Sequence, residues 1–137
     1  MKFSKIKSYA KVNLSLNVAK RLPSKFHKIE SLVSFINLHD LINLRPIQSN
    51  NHKVYFKGKF AKGINTKNTI TRLLKILDNK KLLNNKKFEI KITKNIPHKS
   101  GMGGGSMNAA SLINYFIKKK IFKLDKKELI NLANLVG

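Results

Sequence analysis

Four of the chain's seven glycines, Gly101, Gly103, Gly104 and Gly105, fall within five residues. They sit in the run Ile96-Pro97-His98-Lys99-Ser100-Gly101-Met102-Gly103-Gly104-Gly105-Ser106-Met107-Asn108-Ala109-Ala110, between an alternating apolar segment and a helical one. Residues without a Cβ let the backbone approach an anion closely and adopt positive φ. A helix that opens straight after them directs its unbonded N–H groups and the positive end of its dipole to the same place. The chemistry this pattern supports is the binding of a phosphate group. The candidate phosphate-binding residues are Pro97, His98, Lys99, Ser100, Gly101, Met102, Gly103, Gly104, Gly105, Ser106 and Met107. Ser106, at the helix start, can donate to a phosphate or reach a Mg²⁺ ion. The run is not a GxxxxGK[ST] loop, because no lysine follows the last glycine, and it is not a GxGxxG turn in a βαβ unit. A glycine turn with no ligand is the alternative reading.

The elements that must carry the loop are written in the hydrophobic period. Phe88, Ile90 and Ile92 alternate with Glu89, Lys91 and Thr93, which predicts a half-buried strand leading into it. After it, a helix is expected from about Ser106, with Ala109, Leu112, Ile113, Phe116 and Ile117 inward. Asp125 followed by Glu128 has capping-box spacing and predicts a last helix running to about Val136. Upstream, Ile6 to Val18 reads as a strand, since Val12, Leu14, Leu16 and Val18 alternate with Asn13, Ser15 and Asn17. A turn is expected at 21–25, extended runs over 29–38 and 41–47, and a short strand over 53–57. A helix capped by Thr66 or Asn68 follows, with Ile70, Leu73, Leu74 and Leu77 on one face. The order predicts one α+β domain over residues 1–137, with helices on one face of a mostly antiparallel sheet.

Composition narrows the classes. A chain of 137 residues, 42% hydrophobic and 26% charged, has the balance of an ordinary globular domain. It contains no cysteine, which excludes disulfides and cysteine-ligated zinc, and His27, His39, His52 and His98 show no metal-ligand spacing. No apolar run approaches the ~20 residues of a membrane span. The first residues lack the apolar core of a signal peptide, so a cytoplasmic location with no membrane partner is expected. The net charge of +23 suggests anionic partners, but only Arg21, Arg45 and Arg72 are arginines. Arginine is the preferred reader of bases and phosphates. Lysine, asparagine and isoleucine share AT-rich codons, so base composition is a sufficient cause of the charge. Nucleic acid is therefore not expected as the primary partner, although a lysine-rich nucleic-acid-binding module remains the alternative from another class.

Two further blocks accompany the loop: Ser8-Tyr9-Ala10-Lys11-Val12-Asn13-Leu14 and Phe26-His27-Lys28-Ile29-Glu30-Ser31-Leu32. Asp40-Leu41-Ile42 and Asn68-Thr69-Ile70 follow in order. With these, the chain resembles the GHMP kinase family, whose motifs read P-A-K-[IVL]-N-L, G-Y-H-x-[IL]-x-[ST]-[IVL] and [IL]-P-x-x-[AG]-G-[LM]-G-G-G-S-[SA]-N-A-A. Within the family it is most similar to the branch acting in the non-mevalonate isoprenoid (terpenoid) pathway. The resemblance implies a GHMP N-terminal domain, a ribosomal protein S5 domain 2-like two-layer sandwich. It implies ATP-dependent phosphorylation of the 2-hydroxyl of a small molecule, a cytidine-diphosphate-linked methylerythritol, with ATP and Mg²⁺ as cofactors. Lys11 matches the family's active-site lysine, which can orient the acceptor hydroxyl or offset charge on the transferring phosphoryl group. Asn13, two residues on along the same strand face, is a substrate ligand or a solvent-facing polar residue. Phe26 and His27 match a Tyr-His pair at a cytidine pocket, where an aromatic stacks on the base and a histidine reads its edge.

Several positions depart from the pattern. Phe26 lacks a tyrosine hydroxyl, and Ser24-Lys25 stand where the family has Asp-Gly. Lys99 and Ser100 replace glycines, and Met107 replaces a small residue, commonly serine. The family's Gly-[AS]-Asp-[VIC]-Pro motif would begin at Gly137, so its aspartate and the C-terminal domain have no counterpart in this sequence. The expectation is weak ATP binding and no appreciable kinase activity by this polypeptide alone. A GHMP kinase acting on a different alcohol is the neighbouring alternative.

Overall fold

The computed structural model describes residues 2–10, 37–65, 67–97 and 104–136. Alternation sets the sheet. Ser4–Tyr9 (β1), His39–Ile47 (β2), Lys53–Lys57 (β3) and Lys87–Thr93 (β4) line up in the order β1-β2-β4-β3. β2 is antiparallel to both β1 and β4, while β3 runs parallel to β4 at the other edge. The register places Ile6, Ile42, Ile92 and Phe56 in one row across the sheet, and Ser4, Leu44, Ile90 and Val54 in the next. Because side chains alternate, all of these share the buried face. Lys5, Lys7, Arg45 and Lys91 fall on the other. There Arg45 meets the directly opposite Glu89 at 2.7 Å and covers the Phe3 ring at 4.5 Å.

Thr69–Asn79 (α1), Gly104–Lys118 (α2) and Lys126–Val136 (α3) supply the second layer. Asn68 opens α1: its Oδ1 accepts from the Ile70 and Thr71 N–H groups at 3.0 Å, and its own N–H donates to Thr71 Oγ1 at 3.1 Å. Asp125 opens α3 by the reciprocal bonds its spacing predicts. Its Oδ1 accepts from the Glu128 N–H at 2.8 Å, and its N–H donates to Glu128 Oε1 at 3.1 Å. The core joins Leu73 and Leu77 of α1, Leu112 and Phe116 of α2 and Leu132 of α3 to Ile42, Leu44, Ile90 and Ile92. Each such fully buried side chain stabilises the fold by about 1.5–3 kcal/mol. Two contacts set the direction of α2: Ser111 Oγ donates to Ser8 Oγ at 3.1 Å and Tyr115 Oη to Ser4 Oγ at 3.0 Å. The helix thus runs back along β1, with its N-terminus over the end where β1 finishes.

The α+β reading and the mostly antiparallel sheet hold, with corrections at element ends. β1 begins at Ser4, two residues before the expected start. Its pairing extends to Ala10, whose N–H donates to Leu38 O at 2.9 Å. Asn37, in the run expected to be extended over 29–38, is helical. The alternation from Val12 to Val18, the turn at 21–25 and residues 29–36 lie outside the described residues. Among the described residues no helix is long and apolar enough to cross a membrane.

Candidate functional site

The chain leaves β4 at Lys94 and is held on several sides before it reaches the glycines. The Lys94 N–H donates to Lys57 O at 2.7 Å, and Lys94 O accepts from the Phe60 N–H at 3.3 Å. Gly58 permits this approach. Its φ is +101°, and a Cβ there would lie 3.0 Å from both Lys94 N and Lys94 O. From the other side comes Asp40 of β2, which is fully buried. Its Oδ1 accepts from the Asn95 N–H at 2.6 Å and from the Ile96 N–H at 2.9 Å, while its Oδ2 pairs with Lys94 Nζ. Asn95 Nδ2 donates to His39 O at 3.0 Å. Lys94 is itself 4% exposed, so this is a buried ion pair with further hydrogen bonds, the form in which a buried charge is tolerated.

The helix after the loop begins at Gly104, not at Ser106 as expected, so two of the glycines form its first turn. A Cβ on Gly105 would stand 2.9 Å from Thr69 Oγ1 at the start of α1, and its absence lets the two helix openings meet. No acidic residue lies in the first turn of α2, so its positive end is not offset from within. Ser106 is exposed and Met107 half-buried. One turn on, Asn108 is 2% exposed and its Oδ1 has no hydrogen-bond partner. A cavity of about 320 Å³ lies here, bordered by Lys94, Gly105, Asn108, Asn68, Phe56 and Ile64 among others. An unpartnered buried carbonyl beside a cavity is an acceptor available to a ligand.

A larger cavity, about 630 Å³, continues from this one between β3 and α1, sharing Phe56, Ile64, Asn65 and Asn68. It does not reach Gly105. Its histidine is committed to the fold: His52 Nδ1 accepts from the Phe88 N–H at 3.0 Å, and Nε2 lies 3.0 Å from Asp78 Oδ2, which also takes Lys87 Nζ at 3.2 Å. A ring nitrogen accepting from a backbone N–H is unprotonated, so Nε2 carries the hydrogen and donates to Asp78. The smaller cavity is therefore the better candidate.

Of the residues singled out in the sequence, Pro97, Gly104, Gly105, Ser106 and Met107 are described. His98, Lys99, Ser100, Gly101, Met102 and Gly103 lie outside the described residues, as do Lys11, Asn13, Phe26 and His27. The fold does bring three segment ends together: the end of β1 at Tyr9–Ala10, one residue before Lys11, the exit of β4 at Lys94–Pro97, and the start of α2. Among the described residues no group of three or more His, Asp or Glu side chains is placed to hold a metal. Ser106 supplies one hydroxyl there. Asp40, Lys94 and Asn108 were not singled out as site residues. Asp40 carried a signal, since in His39-Asp40-Leu41-Ile42-Asn43-Leu44 it shares the inward period of Ile42 and Leu44.

Comparison with known proteins agrees with this arrangement. The family described as GHMP kinases N terminal domain matches residues 68–137, which include both helix openings and the glycine loop. A protein of Pelagibacter ubique called 4-diphosphocytidyl-2-C-methyl-D-erythritol kinase is 60% identical over 97% of this chain and 47% of its own length. One of the same name from Thermotoga maritima is 34% identical over 95% of this chain and 45% of its own length. The chain thus spans about half the length of the curated relatives it matches. Among solved structures, a 4-(cytidine 5'-diphospho)-2C-methyl-D-erythritol kinase superposes with a TM-score of 0.54 at 19% identity, covering 99% of this chain and 44% of the other. A homoserine kinase from Cytophaga hutchinsonii gives the same TM-score at 22% identity over 71% of this chain and 31% of the other. These two likenesses establish a shared fold. With the exit of β4 and the start of α2 bordering one cavity where the family match runs, the chain belongs to the GHMP kinases and carries their N-terminal domain.

Proposed function

We propose that this chain is the nucleotide-binding part of a cytoplasmic kinase that transfers the terminal phosphoryl group of ATP to the 2-hydroxyl of 4-diphosphocytidyl-2-C-methyl-D-erythritol. The observation that carries the reading is the 60% identity, over 97% of the chain, to a relative bearing that name. The site supports it chemically. Gly101, Gly103, Gly104 and Gly105, with the uncompensated N-terminus of α2, suit the phosphates of a nucleotide. The adjoining cavity offers apolar walls, Phe56 and Ile64, together with the unpartnered Asn108 Oδ1, which would accept from the amino group of a base.

The residues then divide the work. Backbone N–H groups from His98 through Met107 hold and orient the phosphates, and Pro97, which has no N–H, fixes the backbone leading into them. Ser106 would offer its hydroxyl to a phosphate oxygen or to Mg²⁺. ATP would supply the phosphoryl group, and Mg²⁺ would offset the charge on the phosphate oxygens. Lys11 orients the acceptor hydroxyl and offsets the charge that develops during transfer. Phe26 stacks on the cytosine ring and His27 reads its edge, with Asn13 completing the substrate contacts. Phosphoryl transfer asks mainly for positioning and electrostatic stabilisation, which these groups supply.

Calorimetry on the folded chain tests the proposal. Titration with Mg–ADP or Mg–ATP is expected to give saturable heat, and the cytidyl substrate is expected to bind where homoserine and mevalonate do not. No heat with either nucleotide would overturn the nucleotide site. Equal binding of all three alcohols would overturn the substrate assignment.

A further inference from the structure

Asp40 stands out once the phosphate loop is set aside. It is a fully buried carboxylate on the inner face of β2, in a row otherwise given to isoleucine and leucine. Among the described residues its carboxylate binds the three-residue entrance of the loop: the Lys94 ammonium and the Asn95 and Ile96 amides. A carboxylate that takes two backbone N–H groups with one oxygen and an ammonium with the other fixes both the path of that backbone and the place of the amine. Lys94 borders the same cavity as Gly105 and Asn108. Sequence separation rules out a local turn motif, since Asp40 lies 54 residues before Lys94. A capping or folding role would be met by groups that end an element of their own, whereas this one holds a connection between a strand and the candidate site.

We infer that Asp40 is a positioning residue for nucleotide binding: its carboxylate sets the backbone of Asn95 and Ile96, and the Lys94 ammonium, at the height that the cavity beside Gly105 requires. The inference rests on the nucleotide reading of that cavity. Asp40 touches no nucleotide itself and acts through Lys94–Ile96. Coupling of this kind is reciprocal, so a bound nucleotide must stabilise the clamp as much as the clamp favours binding.

The test uses the full 137-residue chain and Mg–ADP as the probe. Asp40→Asn keeps the shape and an acceptor for the two amides but releases Lys94, and affinity is expected to fall roughly tenfold. Asp40→Ala removes all three bonds, and affinity is expected to fall further than in Asp40→Asn. Leu77→Ala, a fully buried position bordering neither cavity, serves as the control: it lowers the thermal midpoint and leaves affinity within about twofold. In the unmodified chain, saturating Mg–ADP should slow hydrogen exchange at the Asn95 and Ile96 amides more than at Ile90 in the core of β4. If folded Asp40→Asn and Asp40→Ala bind Mg–ADP as the original does, the inference fails. It fails equally, whether or not the variants fold, if nucleotide leaves exchange at Asn95 and Ile96 unchanged relative to Ile90. An unmodified chain that binds no Mg–ADP would instead overturn the nucleotide reading itself.

Discussion

At Asn108, stability and function point in opposite directions. Its Oδ1 is buried with no partner, a state that costs free energy in the unliganded protein. Asn108→Leu removes that cost while keeping much of the volume. Urea unfolding is expected to show equal or greater stability, by up to about 1 kcal/mol. Mg–ADP affinity is expected to fall roughly three- to tenfold, the value of one hydrogen bond. A variant that loses stability and keeps its affinity would show that this oxygen is not a ligand contact. Gly105 makes a second case. Alanine normally favours a helix over glycine by about 1 kcal/mol, yet a Cβ here meets Thr69 Oγ1 at 2.9 Å. Gly105→Ala is therefore expected to yield little or nothing in the original chain and roughly 0.5–1 kcal/mol once Thr69→Ala has cleared the space. Additive effects in the denaturation cycle would remove the close approach as the reason for glycine.

At the scale of elements, the helix openings carry most of the geometry. Asn68 satisfies two amides of α1 and also borders the smaller cavity, so it ties helix stability to the site. Asn68→Ala is expected to lower unfolding free energy by about 1–2 kcal/mol, with the loss read from the denaturant midpoint at constant m-value. No change would mean the amides find other partners. Sequence reading anticipated both capped helices because a cap is a local device: Asn68, and Asp125 with Glu128, act within one turn. It placed the start of α2 two residues late for the opposite reason. The group packed against Gly105 is Thr69, more than thirty residues earlier in the chain, which no local window contains. Asn37, near the end of the run expected to be extended over 29–38, is helical, because the period of a short apolar run does not separate the two forms.

For the whole molecule, charge is the dominant quantity. There are 29 lysine and arginine side chains against six carboxylates. Each described carboxylate is already engaged: Asp40, Asp78 and Glu89 with cations, Asp125 and Glu128 in a cap. The remaining positive charge repels itself across the surface, which disfavours the compact state. Screening lengths shrink from tens of ångströms at about 10 mM salt to a few at about 1 M. The thermal midpoint is therefore expected to rise by roughly 3–8 °C between about 20 mM and about 500 mM NaCl, a change of order 1 kcal/mol for a chain of this size. A midpoint that stays level or falls would show that local ion pairs outweigh the net field.

The sequence alone determined what depends on neighbours along the chain. Alternation defined β4, caps defined α1 and α3, and the clustered glycines marked a candidate phosphate loop before a helix. Its resemblance to the GHMP kinases rested on motif blocks that need no coordinates. Only the tertiary structure decided which distant groups meet. It set Asp40 beneath the exit of β4, Thr69 against Gly105, and Asn108 beside a cavity with its carbonyl bare. Those contacts follow from strand register and the crossing of α1 and α2, which many residues far apart in the chain fix together and no local window contains.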